Sequence, residues 1–158
     1  MYLDDKTFST VLDSTPLVSI DLLVEDSTGK FLLGERLNRP AKGFWFVPGG
    51  RILKNETLKS AFERLTFAEL GKKFDINQAT LQGPYDHIYE DSVFGDSPST
   101  HYVAIAYRLK VEDIKNLPCE QHSRYEWFNP SDIIERRDVH VNTKAYFSII
   151  GSPDTYEV

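Results

Sequence analysis

The 158-residue chain has one cysteine, one methionine and no long apolar run. The single thiol, Cys119, cannot close an internal disulfide, so the fold rests on its own core and Cys119 reads as incidental. No stretch approaches the roughly 18 apolar residues of a membrane-spanning helix, and the opening MYLDDKTF has no apolar leader, which makes the cytosol the expected compartment. Positive charge is also short: 18 Lys and Arg stand against 24 Asp and Glu, a formal charge of −6. That balance disfavours non-specific binding of nucleic acid or anionic membrane, while leaving room for a local basic pocket around a diphosphate. Repeats, low-complexity blocks and linkers are missing too. With 41% hydrophobic residues, residues 1–158 fit one domain able to bury its own core.

What the chain does have is concentrated in residues 49–71, GGRILKNETLKSAFERLTFAELG. Two glycines after Pro48 read as a turn whose backbone comes within reach of a ligand. From Thr57 the spacing becomes helical, with Leu58, Ala61, Phe62, Leu65 and Ala68 on one face and Gly71 closing the helix. At about 100° per residue, Glu69 falls near the middle of that apolar face. A carboxylate there needs a partner. Arg64 or another cation can neutralise it, it can sit at the exposed end of the stripe, or it can ligate a hard divalent cation such as Mg²⁺ together with a backbone carbonyl, an amide oxygen and water.

The remaining chain alternates strand and helix signals. Residues 4–12 read as a short amphipathic helix, 16–25 and 30–36 as a hairpin of strands, 44–47 as a short aromatic strand, and 80–89 and 100–110 as extended segments. Residues 90–99, rich in Asp, Ser, Gly and Pro, read as a mobile loop of lid length. Residues 111–118 read as a short helical turn or loop, 120–126 as a polar loop, Trp127 and Phe128 as the beginning of a core strand, and 131–136 and 142–150 as helices on the opposite side of the sheet. The tail, GSPDTYEV, reads as frayed. Several polar residues stand out against ordinary alternatives. Asp21 breaks an apolar strand, where such a residue is often simply solvent-facing. Arg36 ends a strand and can grip phosphate bidentately or sit on the surface. His87 suits either a structural hydrogen bond or a polar site.

The spacing Gly50, five residues, Glu56, seven residues, Arg64, then Glu69 and Gly71, preceded by FWFVPGG, resembles the Nudix box G-x5-E-x7-R-E-U-x-E-E-x-G-U, with U apolar. Leu65 and Ala68 stand where that pattern has carboxylates, and Thr66 where it has an apolar residue. Nudix enzymes that cut phosphoanhydrides rely on those carboxylates to hold metal. Over nearly its whole length the chain is similar to the GDP-mannose mannosyl hydrolases, which carry the same eroded box. The resemblance is borne by STPLVSIDLLVED, NRPAKGFWFVPGGR, AFERLTFAELG, THYVAIAYR, EQHSRYEW and the helix around NTKAYF.

That resemblance implies an α/β fold, a Nudix-type α/β/α sandwich with a mixed central β-sheet. The implied activity is Mg²⁺-dependent hydrolysis of GDP-mannose, or a related GDP-hexose, to GDP and free sugar, by inverting attack of water at C1. A homodimer with one Mg²⁺ per subunit is implied as well. The metal ligands would be the Gly49 carbonyl, Glu69 and Gln121, and His122 would be the general base. Asp21 and His87 would steady the oxocarbenium-like sugar. Arg36 would hold the diphosphate, Arg51 could reach a phosphate, and Tyr102 would touch substrate. Tyr2, Leu3 and Phe8 would touch the nucleotide, or else form a helical cap or a dimer contact. Two other readings remain: a Nudix hydrolase attacking the P–O bond of a nucleotide sugar, and a non-catalytic Nudix module that only binds one.

Overall fold

A computed structural model describes residues 2–112, 114, 117, 118 and 122–148. Cys119, Gln121 and the tail from 149 onward lie outside the described residues. Among the described residues seven strands join one mixed sheet: β1 (Leu17–Glu25), β2 (Phe31–Arg36), β3 (Trp45–Phe46), β4 (Gly49–Arg51), β5 (Ala79–Tyr89), β6 (Thr100–Lys110) and β7 (His122–Phe128). The main path runs β3-β2-β1-β6-β5, with β4 added to β1 and β7 to β2. Four α-helices accompany it among the described residues: α1 (Asp5–Ser14), α2 (Leu58–Leu70), α3 (Pro130–Glu135) and α4 (Val141–Ser148).

β1 is the central strand. It pairs in parallel with β6 from Leu17↔Tyr102 to Glu25↔Lys110 and antiparallel with β4 through Ser19, Ile20 and Asp21. The expected hairpin of β1 and β2 shrinks to one register pair, Glu25↔Phe31, because β2 turns away to pair with β7 and β3. Side chains alternate across a strand, and both faces of β1 are covered. Ile20, Leu22 and Val24 meet Ala61, Phe62 and Leu65 of α2 on one side. Leu23, with Phe31 and Leu33 of β2, meets Ile133 of α3 and Tyr146 and Phe147 of α4 on the other. These two cores make the α/β/α layers. Asp21 and Ser19 share the face of Leu23, so the polar break in β1 faces away from α2.

α2 begins and ends where its sequence says. Thr57 caps it, its hydroxyl accepting from the Ser60 amide at 3.1 Å while Ser60 Oγ accepts from the Thr57 amide at 3.0 Å. Gly71 terminates it at φ +76°. The buried stripe is rotated from the expected one: Ala61, Phe62, Leu65, Thr66, Glu69 and Leu70 are inside, whereas Leu58 is 43% exposed and Ala68 is exposed too. Thr66 fits an apolar position because its hydroxyl donates to the Glu63 carbonyl and accepts from the Phe74 amide, both at 3.1 Å.

Two more expectations change, for residues 122–128 and for the glycines after Pro48. Residues 122–128 form a strand rather than a polar loop, and Trp127 and Phe128 end it instead of beginning it. Its polarity is that of an outer strand, where Arg124 reaches across to Glu35 at 2.7 Å. The 90–99 segment folds on itself through a Ser92–Gly95 bridge. Arg39 ties it down, lying 2.8 Å from Asp96 and 3.7 Å from Asp91. Gly49 and Gly50 form no turn. They lie in β4, and neither is among the residues of positive φ.

Candidate active site

A cavity of about 220 Å³ opens on the Asp21 face of β1, between the N-terminal helix, β3, β4, β5, β6 and the 90–99 loop. Seven of the residues singled out from the sequence line it: Phe8, Asp21, Arg36, Gly49, Arg51, His87 and Tyr102. Strand alternation brings them together. Asp21, Gly49 and Arg51 come from paired positions of β1 and β4, while His87 and Tyr102 are register partners on β5 and β6. Tyr2 is 81% exposed, and neither it nor Leu3 lines the cavity.

Asp21 sits at the centre. Tyr146, from α4 and 2% exposed, donates its hydroxyl to Asp21 Oδ2 at 2.6 Å, and its own phenolic oxygen lies 3.1 Å from His87 Nε2. Burial pushes the Asp21 carboxyl up to about 6, against the Tyr146 hydrogen bond and the Arg36 guanidinium, which favour the charged form. Burial also pulls His87 down to about 4, with His140 acting in the same direction. Above neutrality the cavity therefore holds a carboxylate beside an uncharged imidazole. Tyr146 itself is pushed upward, first by burial and then by Asp21, and keeps its proton.

Positive charge lines the other walls. The Arg36 guanidinium lies 5.4 Å from the Phe46 ring centroid, and that of Arg51 lies 4.4 Å from the Phe8 ring. Aromatic faces thus hold both guanidiniums at the cavity, and among the described residues neither forms an ion pair, an arrangement suited to an anionic ligand. Phe8 in turn meets Phe94 of the 90–99 loop edge-on at 5.8 Å, joining α1 to that loop across the cavity mouth.

The glycines are explained by space. In the β1–β4 ladder the Leu22 amide donates to Pro48 and the Ile52 amide to Val18, so the intervening pair Asp21↔Gly49 is a non-hydrogen-bonded one. Its side chains crowd together and its backbone groups point away from each other. A Cβ on Gly49 would strike the Ile20 carbonyl and come within 2.8 Å of Asp21 Oδ1; one on Gly50 would come within 2.5 Å of Leu65 Cδ2.

The same register leaves the Gly49 carbonyl directed away from β1, as it does the Arg51 carbonyl, which accepts from Arg64 Nη2 at 2.8 Å. Leu65 packs on Gly50, and Glu69, one helical turn further along α2 and 2% exposed, is close enough for its charge to act on Asp21. Arg64 is not Glu69's neutralising partner. It pairs with Glu56 at 2.6 and 2.9 Å instead. An outward carbonyl and a buried carboxylate in one neighbourhood fit two ligands of a hard cation. Among the described residues no three His, Cys, Asp or Glu side chains gather to hold a metal, so oxygen donors of other kinds would complete the set. Gln121 lies outside the described residues; His122 begins β7, its backbone opposite Arg36.

Reasoning from the sequence missed Tyr146, Tyr89 and His140. Tyr89 lines the cavity, and His140 stacks on Phe46 at 4.8 Å and meets Tyr89 at 5.3 Å. Tyr146 lies in the helix around NTKAYF, where its spacing with Phe147 signals only core. A tyrosine beside a core phenylalanine was the available clue, because a buried phenol needs a hydrogen-bond partner.

The NUDIX domain profile matches residues 15–148. The low-salt glycan biosynthesis protein Agl8 of Haloferax volcanii is 39% identical over 127 residues, covering 80% of this chain and 79% of the relative. Among solved structures, a MutT NUDIX hydrolase from Burkholderia pseudomallei superposes with a TM-score of 0.69 at 26% identity, covering 85% of this chain and 98% of that one. A MutT protein from Methanosarcina mazei Go1 superposes at 0.68 with 23% identity, covering 85% and 93%. Among the described residues, no helix is long and apolar enough to cross a membrane.

Proposed function

Because this chain belongs to the NUDIX domain family, we propose that it is a Mg²⁺-dependent hydrolase of GDP-mannose or a related GDP-hexose, releasing GDP and free sugar. The observation that carries this is the environment of Leu65. The Nudix pattern has a carboxylate there, yet Leu65 is 3% exposed and packs against Gly50 in the core beneath β1. Ala68, at the second such position, offers no ligand at all. With two of the pattern's carboxylates gone, the metal set that serves attack on phosphorus is depleted. The polar groups that remain lie instead around Asp21, where a sugar could sit. The description of the Haloferax relative as a glycan biosynthesis protein agrees with a nucleotide-sugar substrate.

In the proposed reaction a water oxygen bonds to sugar C1 as the C1–O bond to the diphosphate breaks, and GDP departs with the electron pair. Arg36 and Arg51 take up the diphosphate charge. Ionised Asp21 steadies the positive charge that develops on the sugar ring, and neutral His87 adds a dipole rather than a second charge. His122 is assigned the water proton on the strength of the family resemblance. Mg²⁺, held by the Gly49 carbonyl, Glu69 and Gln121, would neutralise charge on the leaving diphosphate. Tyr102 completes the sugar wall and Phe8 the nucleotide wall, and Tyr2 and Leu3, which do not line the cavity, are assigned to the nucleotide on the family resemblance alone. A homodimer is part of the same reading, as is a single domain over 1–158.

The test is hydrolysis of GDP-mannose with Mg²⁺ in ¹⁸O-water. Label in free mannose beside unlabelled GDP supports attack at carbon; label in a phosphate product overturns it in favour of P–O cleavage. If no GDP-hexose is consumed while one still binds, the chain is a binding module. His122→Gln should lower kcat by roughly 10²- to 10⁴-fold with little change in KM, and unchanged turnover removes His122 from the base role.

A further inference from the structure

The three groups Tyr146, Asp21 and His87 hold fewer protons than they have places for, and the bond lengths assign those protons. A phenol has one proton to give and an oxygen that can also accept. The Tyr146 proton goes to Asp21 Oδ2, where 2.6 Å is the length of an O–H···O⁻ bond. The phenolic oxygen is then the acceptor for its other neighbour, His87 Nε2 at 3.1 Å, and that nitrogen has to donate. A neutral imidazole carries a single N–H, so Nδ1 is left bare. The remaining distance agrees: His87 Nδ1 lies 3.8 Å from Asp21 Oδ2, too long for a hydrogen bond and in keeping with two acceptors that have no proton between them.

We propose that Tyr146 is a positioning residue that fixes the Asp21 carboxylate and commits His87 to its Nε2–H tautomer, leaving Nδ1 as the ring's acceptor. The carboxylate is constrained from two sides. Tyr146 holds Oδ2, and the missing side chain of Gly49 makes room for Oδ1. His87 consequently has no spare N–H to offer a ligand. It can only accept, and the ligand chemistry that suits it is a hydroxyl donor, such as a sugar hydroxyl. That last assignment and the effect on turnover rest on the proposed reaction; the tautomer does not.

The experiment is long-range ¹H–¹⁵N correlation on ¹⁵N-labelled protein at pH 8, with His87 identified by the signals lost in His87→Gln. The expected pattern for His87 is a protonated Nε2 and a bare Nδ1. Tyr146→Phe retains the ring that packs edge-on against Tyr85 at 4.6 Å and removes only the hydroxyl. It should release His87 to the other tautomer or to a mixture, and lower kcat on GDP-mannose about 10- to 100-fold with a much smaller change in KM. A wild-type His87 protonated on Nδ1 overturns the proposal, and so does Tyr146→Phe with an unchanged His87 pattern. If Tyr146→Phe does not fold, the wild-type spectrum decides alone. If GDP-mannose is not turned over, the spectra still decide the tautomer.

Discussion

Gly49 stands opposite Asp21 in a non-hydrogen-bonded pair of the β1–β4 ladder, and the aspartate carboxylate occupies the space that a side chain on Gly49 would need. The glycine is therefore part of the site through what it lacks. It admits the carboxylate on one side and leaves its own carbonyl directed away from β1.

Gly49→Ala tests this directly. The added methyl meets the Ile20 carbonyl and comes within 2.8 Å of Asp21 Oδ1, and backbone cannot move aside as a flexible side chain would. We expect a loss of roughly 1–3 kcal/mol in stability, the range for overpacking, measured by urea unfolding. Turnover should fall further than that loss explains, because Asp21 must rotate away from Tyr146. A variant with wild-type stability and activity would show that the close approach is unimportant.

Arg64 and Glu69, two of the charged residues of the box, have separable roles. Arg64, 2.6 Å from Glu56 and 2.8 Å from the Arg51 carbonyl, braces α2 against β4. Arg64→Ala should cost about 1–3 kcal/mol, seen as a lower Tm. Glu69→Gln should instead raise the Mg²⁺ concentration needed for half-maximal activity by about 10-fold or more. An unaltered metal titration would remove Glu69 as a ligand.

Restoring the family's carboxylate should not restore its chemistry. Leu65→Glu places a charge in a position 3% exposed and packed on Gly50. The expected result is a destabilisation of several kcal/mol, roughly 3 or more, with no gain of P–O cleavage in the ¹⁸O assay. A stable variant that labels phosphate would mean that erosion of the box alone diverts the reaction.

His87 and Asp21 impose opposite pH dependences on folding. Burial lowers His87 from 6.5 to about 4, so between those values the unfolded chain binds more protons and the His87 contribution is lost as pH falls. Burial raises Asp21 from 3.8 to about 6, so the folded chain binds more protons there and the Asp21 contribution is lost as pH rises. Each is worth at most roughly 3 kcal/mol. His87→Gln removes the first dependence alone. Its stability relative to wild type should therefore improve, by up to roughly 3 kcal/mol, as pH is lowered from 6.5 to about 4. A gap that stays constant would mean that His87 is not held neutral.

The sequence by itself determined the ends of α2, through Thr57 and Gly71, and the burial of Glu69, because capping and helical period are local properties. The spacing from Gly50 to Gly71 carried the family, and resemblance at scattered positions carried seven residues that line one cavity. Other features depended on which strand lies beside which. Strand pairing turned a glycine turn into an edge strand and an expected hairpin into a single register pair. Tertiary packing turned Leu58 outward and sent Arg64 to Glu56. Tyr146 shows the limit most plainly. It lies 125 positions from Asp21 along the chain, and a 2.6 Å hydrogen bond over that separation exists only because α4 packs on the far face of β1. No local pattern encodes such a contact, since the sheet brings the two residues together and neither needs the other to form its own helix or strand.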